Sequence, residues 1–187
     1  MPSGQLIVLT GPSGVGKGTL VRSLLARHND LYLSISATTR SPRRGEIDGK
    51  DYYFVTRSQF KKMIDQGELL EWAEYANNCY GTPRFDIEKK LNSGIKVLLE
   101  IDVVGARNIK QTFPDALRIF VLPPSLEELE RRLRGRDKDS QEAITCRLEQ
   151  AKKELIASRE FNHIIVNDNL SQSLQKFENI IFAIELN

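Results

Sequence analysis

A glycine-rich run with one lysine, at residues 11–19, is the part of this sequence whose types and spacing most directly specify a chemistry. It follows the apolar run Leu6–Leu9. Glycines let the backbone wrap closely around an anion, and a helix that starts at the lysine adds the positive end of its dipole. The lysine supplies a mobile charge for the outer phosphates. The pattern predicts a P-loop that binds a nucleoside triphosphate, made of Gly11, Pro12, Ser13, Gly14, Val15, Gly16, Lys17, Gly18 and Thr19.

One position of this loop departs from the usual pattern. Gly18 stands where a serine or threonine hydroxyl commonly meets Mg²⁺, and Thr19 follows it. Mg²⁺ keeps several waters and is often held through them and through substrate phosphates. We therefore expect Mg²⁺ with the triphosphate, and leave open whether Thr19 binds it directly.

A second group of candidate anion ligands lies at residues 36–52. Arg40, Arg43 and Arg44 fall within five residues, and Tyr52 follows. Guanidinium groups present forked donors that match phosphate oxygens. Taken alone, such a charge run is more simply a solvated basic loop. In a chain that also has a P-loop, it indicates a second phosphate site.

The composition describes an ordinary globular protein of 187 residues with a formal net charge of +2. This charge gives no general attraction to nucleic acid or to an anionic membrane. Cys79 and Cys146 are isolated, and no apolar run has membrane-spanning length. We expect a cytoplasmic protein without a signal peptide, a nucleic-acid or membrane partner, or an obligate protein partner.

Strands and helices are predicted to alternate along most of the chain. Several apolar runs lack polar alternation, as in parallel strands covered on both faces. We predict an α/β fold with a mostly parallel twisted sheet flanked by helices. The predicted core strands are Gln5–Thr10, Leu31–Ser36, Lys96–Ile101, Leu117–Leu122 and His163–Val166. The predicted helices are Lys17–His28, Pro83–Asn92, Val104–Thr112, Leu126–Arg134, Gln141–Ser158 and Ser171–Ile184.

Two segments interrupt the alternation. Thr38–Gly81 holds short strand-like pieces at Tyr52–Val55 and Leu69–Trp72 and a short helix at Arg57–Gln66, and Arg131–Lys138 is rich in arginine. Substrate-covering parts often lie in such insertions. Two cap signals are also present: a capping box at Ser125 and Glu128, and Thr82 as an N-cap before Pro83.

Six motifs, in order and spacing, resemble those of the guanylate kinase family over nearly the whole chain. They are Gly-Pro-Ser-Gly-Val-Gly-Lys, Thr-Thr-Arg-Ser-Pro-Arg-Arg-Gly-Glu, Gly-Lys-Asp-Tyr-Tyr-Phe, Glu-Trp-Ala, Tyr-Gly-Thr and Val-Asn-Asp. The resemblance implies transfer of the γ-phosphoryl group of ATP to GMP, and also to dGMP, with Mg²⁺. It also implies one domain over residues 1–187, with a core (about 1–36, 83–125 and 150–187), a GMP-binding region (about 37–82) and a small helical lid (about 126–149).

The resemblance assigns a GMP site to matching residues. Arg40, Arg43, Tyr52 and Tyr80 would hold the GMP phosphate, and Asp102 would contact the same nucleotide. Base choice would lie with Glu71, supported by Ser36 and Thr82. Guanine presents N1–H and an amino group side by side, and one carboxylate accepts from both, whereas adenine has an acceptor at N1.

The remaining assignments concern the ATP side. Arg132, Arg136 and Arg147 match lid and catalytic arginines of the family, Arg136 and Arg147 acting with Lys17 in catalysis. Asn167 would contact adenine. Glu100 ends an apolar strand, where it would either orient the water shell of Mg²⁺ or form a buried ion pair with Lys17 or an arginine.

Other functions leave different signatures. Non-catalytic guanylate-kinase-like modules of scaffold proteins bind peptides and usually have a degraded P-loop, whereas Lys17 and the arginines are present here. A P-loop kinase for another phosphorylated acceptor, such as a ribose bisphosphate, would not need Glu71 with Ser36 and Thr82. An adenylate-type kinase conflicts with the same three residues.

Overall fold

A computed structural model describes residues 4–75, 77–135 and 141–182 of the chain. Within these ranges the strands are β1 (Leu6–Thr10), β2 (Leu31–Leu33), β3 (Ala37–Thr38), β4 (Tyr53–Phe54), β5 (Leu69–Tyr75), β6 (Asn78–Pro83), β7 (Lys96–Glu100), β8 (Leu117–Leu122) and β9 (His163–Val166). The α-helices are α1 (Lys17–Leu25), α2 (Arg57–Asp65), α3 (Arg84–Asn92), α4 (Val103–Thr112), α5 (Leu126–Arg134), α6 (Gln141–Ile156) and α7 (Leu170–Phe182). A 3₁₀ helix, Ala157–Glu160, follows α6.

The predicted α/β fold is confirmed. Five strands form one sheet in the order β2-β7-β1-β8-β9, and the pairs β2–β7, β1–β8 and β8–β9 are parallel. Every residue of β1 is buried, as is the Val97–Leu99 run of β7. Such continuous apolar runs are typical of strands covered on both faces. A smaller sheet has the order β4-β3-β6-β5.

The described residues divide into two compact units. The first comprises Met1–Leu6, Asp30–Leu99 and Val104–Ala116, and the second comprises Ile7–Asn29, Glu100–Val103 and Leu117–Asn187. The first unit contains the smaller sheet, and the second contains the glycine-rich run. No helix in the described ranges is long and apolar enough to cross a bilayer.

Two local predictions are wrong. Thr82 is not an N-cap: it lies in β6, Pro83 is the N-cap residue of α3 without a side-chain cap bond, and the helix begins at Arg84. The predicted Leu31–Ser36 strand ends at Leu33. Ser125 does cap α5 by accepting from the N–H of Glu128, while the Glu128 carboxylate accepts from Arg131 and Arg132.

Candidate active site

The glycine-rich run follows β1 and forms a loop whose last glycine caps α1. Gly16 is the N-cap residue with φ 99°, and Gly11 has φ 144°. Both positions also lack room for a side chain: a Cβ at Gly11 would lie 2.4 Å from the Val121 carbonyl oxygen, and one at Gly16 would lie 2.4 Å from Nδ2 of Asn167. Glycine is required at both positions for two reasons, backbone conformation and close approach.

The ammonium group of Lys17 lies over this same loop. Nζ donates to the carbonyl oxygens of Gly11 at 2.5 Å and of Pro12 at 3.2 Å. The lysine is the first residue of α1, so its charge sits at the positive end of the helix dipole. Loop, lysine and helix start together provide the donors that a polyphosphate requires.

The Glu100 carboxylate lies beside the first turn of α1. A Cβ at position 18 would be 3.8 Å from each Glu100 carboxylate oxygen and 3.5 Å from Nη1 of Arg22. Burial raises the pKa of the Glu100 carboxyl, and Lys17 and Arg22 partly offset the rise. Lys17 and Arg22 are thus the cations that act on the Glu100 carboxyl. Whether Glu100 forms a buried ion pair with Lys17 or an arginine, or orients the water shell of Mg²⁺, stays a prediction.

The raised pKa of Glu100 predicts how the stability of the folded protein changes with pH. An unfolded glutamate titrates near about 4.3, so the wild type loses stability as pH rises from that value through the higher folded pKa. Glu100→Gln removes this loss. We expect the melting temperature of Glu100→Gln, relative to wild type, to rise between about pH 4 and pH 8. Melting curves across this range test the prediction, and Glu74→Gln, at an exposed glutamate of β5, is the control. If the difference in melting temperature between Glu100→Gln and wild type does not change with pH, the raised pKa of Glu100 is contradicted.

A further carboxylate, Glu154 of α6, belongs to the same surroundings. Burial raises its pKa; a hydrogen bond from Gln150 and the charge of Lys17 lower it, and the charge of Asp102 raises it. Nε2 of Gln150 donates to Oε1 of Glu154 at 3.1 Å. Lys17 thus lies among acidic groups as well as over the loop carbonyls. The sequence reasoning did not identify Glu154, since nothing in α6 marks it apart from other helical glutamates.

Arg132 and Asn167 meet at the glycine-rich loop. Nη1 of Arg132 and Nδ2 of Asn167 both donate to the carbonyl oxygen of Val15, at 3.2 and 2.8 Å. Nη2 of Arg132 donates to the Asn167 carbonyl oxygen at 2.9 Å, and Nε donates to Glu128 at 2.7 Å. Both residues therefore contact the backbone of the glycine-rich loop.

Of the two arginines predicted to be catalytic, the structure describes one, Arg147, and not the other, Arg136. Arg147 lies in α6 and is half-buried. Arg136 falls at residues 136–140, outside the described residues. The catalytic assignment of both stays a prediction.

In the other unit, Arg40, Tyr52 and Tyr80 lie together. The Arg40 guanidinium carbon is 5.3 Å from the centroid of the Tyr52 ring, and the Tyr52 and Tyr80 rings are 6.2 Å apart in an edge-on arrangement. A hydrogen bond with Glu46 is the main cause of a raised Arg40 pKa, and Tyr80 contributes as well. Three of the four residues predicted for the second phosphate site thus form one cluster. The fourth, Arg43, lies in the adjoining loop, and its backbone N–H donates to Glu46.

Glu46 occupies the guanidinium fork of Arg40. Nη1 and Nη2 of Arg40 donate to its two carboxylate oxygens at 3.0 and 2.9 Å. The Arg40 guanidinium holds the pKa of the Glu46 carboxyl below its ordinary value. From the sequence, Glu46 was noted only as part of a motif. Its pairing with Arg40 could have been predicted from its position, because it follows the arginines across a turn that contains Pro42 and Gly45.

Strand register brings two of the three predicted base-reading residues, Glu71 and Thr82, together. Glu71 of β5 pairs with Thr82 of β6, and Oγ1 of Thr82 donates to Oε1 of Glu71 at 2.6 Å. Ser36 immediately precedes β3, whose first residue, Ala37, pairs with Gly81 of β6. Glu71 is only 6% exposed. A carboxylate this buried is costly unless its oxygens have donors, and Thr82 supplies one of them.

Comparison with known proteins agrees with these features. The family model described as guanylate kinase matches residues 3–184. A guanylate kinase of Synechocystis sp. is 61% identical over 178 residues, which is 95% of this chain and 93% of the relative. The crystal structure of guanylate kinase from Anaplasma phagocytophilum matches with a TM-score of 0.84 at 34% identity, covering 100% of this chain and 88% of that one.

A more distant structure is similar in fold alone. Shikimate kinase from Bacteroides thetaiotaomicron matches with a TM-score of 0.53 at 17% identity, over 95% of this chain and 98% of that one. At this identity the likeness says nothing about the acceptor. The fold accommodates different acceptors, so the acceptor must be argued from the site.

Proposed function

The chain belongs to the guanylate kinase family, and on that premise we propose that it transfers the γ-phosphoryl group of ATP to GMP, releasing ADP and GDP. The observation that carries the choice of acceptor is the buried pair of Glu71 and Thr82. We expect dGMP to be a further acceptor, because none of the proposed base and phosphate contacts involves the ribose 2′-hydroxyl.

Guanine complements the Glu71 carboxylate better than any other common base. Thr82 donates to Oε1, and the carboxylate has further lone pairs for the guanine N1–H and amino group. Adenine would place an acceptor at N1 against the carboxylate, so the two groups would repel each other and could not form a hydrogen bond. Specificity arises from this mismatch as much as from the fit to guanine. The hydroxyl of Ser36, which immediately precedes β3, is assigned to the base as well.

The acceptor phosphate is assigned to Arg40, Arg43, Tyr52 and Tyr80. Two guanidinium groups and two phenol hydroxyls supply donors to a group that has only acceptors at neutral pH. Glu46 holds the planar fork of Arg40 against Ser41 and the Tyr52 ring. Because Arg40 keeps further N–H groups, it binds phosphate without leaving Glu46. Asp102 is proposed to contact the same nucleotide.

Phosphoryl transfer requires positioning and charge neutralisation more than proton transfer. The GMP phosphate is already a competent nucleophile, so no general base is needed. The loop residues 11–19 hold the phosphates of ATP, and Lys17 neutralises the outer ones. Arg136 and Arg147 are assigned to the transferring group, and Arg132 to ATP binding. Asn167 is assigned to the adenine side. We propose that the lid and the GMP-binding region close over both nucleotides and exclude water.

The residues near the loop fit Mg²⁺ bound chiefly through phosphates and water. No group of three or more His, Cys, Asp or Glu side chains that could hold a metal occurs in the described parts of the chain. Hard oxygen donors are nonetheless present: the Glu100 carboxylate beside position 18, and the Thr19 hydroxyl, which accepts from Arg22 at 3.3 Å. Mg²⁺ would neutralise phosphate charge, and we assign Glu100 to orient its waters.

Product analysis tests the proposed function directly. We expect purified protein with Mg²⁺, ATP and GMP to form ADP and GDP in equal amounts, quantified by anion-exchange chromatography. EDTA in excess over Mg²⁺ should abolish both products. ADP without GDP would indicate hydrolysis only. Neither product, despite nucleotide binding, would favour the non-catalytic alternative.

The cytoplasmic location and the absence of nucleic-acid, membrane and obligate protein partners stay predictions from the sequence. So do the boundaries of the core, the GMP-binding region and the lid. Limited proteolysis with and without both nucleotides would test those boundaries, because bound substrates protect the segments that close over them.

A further inference from the structure

The backbone carbonyl of Val15 accepts two side-chain hydrogen bonds at once. The donors are Nδ2 of Asn167, which follows β9, and Nη1 of Arg132, on α5. They are separated from Val15 by 152 and 117 residues along the chain. Asn167 is 7% exposed and Val15 is fully buried. The Val15 carbonyl therefore accepts two side-chain bonds, and both Val15 and Asn167 are buried.

This contact fixes the direction of an N–H group in the loop. The peptide bond between Val15 and Gly16 is planar and trans, so its carbonyl and its N–H point in opposite directions. When Arg132 and Asn167 hold the Val15 carbonyl, the Gly16 N–H points away from both of them. Gly16 has φ 99°, and a glycine at such an angle is otherwise free to rotate its peptide.

Arg132 is itself held in place. Its Nε donates to Oε1 of Glu128, one turn earlier in α5, and its Nη2 donates to the Asn167 carbonyl oxygen. Its side chain is 22% exposed, whereas that of Arg131, which pairs with the same carboxylate, is 75% exposed. Of these two neighbouring arginines, Arg132 is the one that contacts the loop.

We propose that Glu128, Arg132 and Asn167 act as positioning residues that preset the phosphate loop through the Val15 carbonyl, before any nucleotide binds. The inference rests on the proposed function only in that the loop binds the phosphates of ATP. It gives Arg132 and Asn167 a role additional to any direct contact with ATP. It also includes Glu128, which has no assigned contact with either nucleotide. Preorganised donors do not have to be reoriented when the anion arrives, which is the source of their effect.

Binding of inorganic tripolyphosphate separates positioning from nucleotide contact. This probe has no adenine, so an Asn167 that only contacts adenine would not affect it. We expect Asn167→Ala to weaken tripolyphosphate binding by about tenfold, the scale of one or two lost hydrogen bonds, measured by calorimetry. Asn162→Ala, at an exposed asparagine of the same unit, is the matched control and should bind as wild type does. Unchanged affinity in Asn167→Ala would overturn the proposal.

Electrostatic attraction alone and the positioning role predict opposite effects of Glu128→Gln on tripolyphosphate binding. Removing a carboxylate near an anion site should tighten tripolyphosphate binding if electrostatic attraction alone matters. The positioning role predicts weaker binding, by about threefold to tenfold, because the charge-assisted bond that holds Arg132 becomes a weaker neutral one. Arg131→Gln removes the other half of the same ion-pair cluster and should change affinity by less than twofold. Tighter or unchanged binding in Glu128→Gln, or an equal loss in Arg131→Gln, would overturn the proposal.

Failure of the positioning role can be distinguished from failure of the proposed kinase reaction. Tripolyphosphate binding is measured without GMP, so a chain that binds the probe but forms no GDP would refute the kinase reaction and leave the positioning role standing. A wild-type chain that forms GDP but does not bind tripolyphosphate would overturn the positioning role and leave the kinase reaction standing. Circular dichroism and thermal melting of each variant establish that a lost affinity is not a lost fold.

Discussion

Glu71→Gln is expected to lower kcat/KM for GMP by about 10²- to 10³-fold while the KM for ATP stays near wild type. Glutamine keeps one carbonyl oxygen, but its amide nitrogen brings donors to a place where guanine also presents donors. Thr82 donates to Oε1 at 2.6 Å, so the amide oxygen would satisfy Thr82 and turn the nitrogen toward the base. Steady-state rates at varied GMP measure the effect.

Two comparisons make this result specific. Glu74→Gln, the same substitution at an exposed position of β5, should behave as wild type. IMP lacks the guanine amino group, so wild type should prefer GMP strongly and Glu71→Gln should lose most of that preference. If Glu71→Gln uses GMP with unchanged efficiency, Glu71 does not read the base.

Arg147→Ala should reduce kcat by about 10³-fold or more, with the KM for GMP changing only a few-fold. An arginine that neutralises the transferring phosphoryl group contributes roughly 10³ to 10⁵ in rate, because the charge it meets develops in the transition state. Arg147 lies half-buried on α6. Steady-state kinetics with both substrates varied separates the two parameters.

The matched control is Arg134→Ala. Arg134 is an exposed arginine whose Nη2 pairs with Glu130 on the surface of α5. Loss of that pair should leave kcat within about twofold, since exposed ion pairs contribute little. If Arg147→Ala instead raises the KM for GMP with kcat intact, the residue binds the ground state only.

The sequence predicted the larger sheet well because its strands are continuous apolar runs. Helix α5 was predicted with the observed bounds, since a serine cap precedes a strongly periodic segment. The smaller sheet was only partly anticipated. β3 is two residues long, and β6 is half-buried and contains a glycine and a proline, so neither has a clear period-2 pattern. Thr82 resembled a helix cap in sequence and is a strand residue in the structure.

Motif spacing predicted the type of site, while the contacts within it depend on the fold. The motifs contain the glycine-rich loop, Arg40 with Tyr52 and Tyr80, and Glu71 with Thr82, and the structure brings the members of each group together. Their contacts with nucleotides stay predictions. Two arrangements were missed: the Glu46 carboxylate in the fork of Arg40, and the contact of Arg132 and Asn167 with the Val15 carbonyl. The second joins residues more than 100 positions apart. Side-chain contacts at such separations leave no local pattern.

The most direct measurement of the central claim is the rate of ADP formation with Mg²⁺, ATP and one acceptor at a time. The acceptors are GMP, dGMP, AMP, CMP and UMP, with a sample lacking acceptor as the baseline. We predict rapid turnover with GMP, slower turnover with dGMP, and rates near the baseline with the other three. Equal rates with AMP and GMP, or baseline rates with all acceptors, would contradict the guanine-reading site on which the account rests.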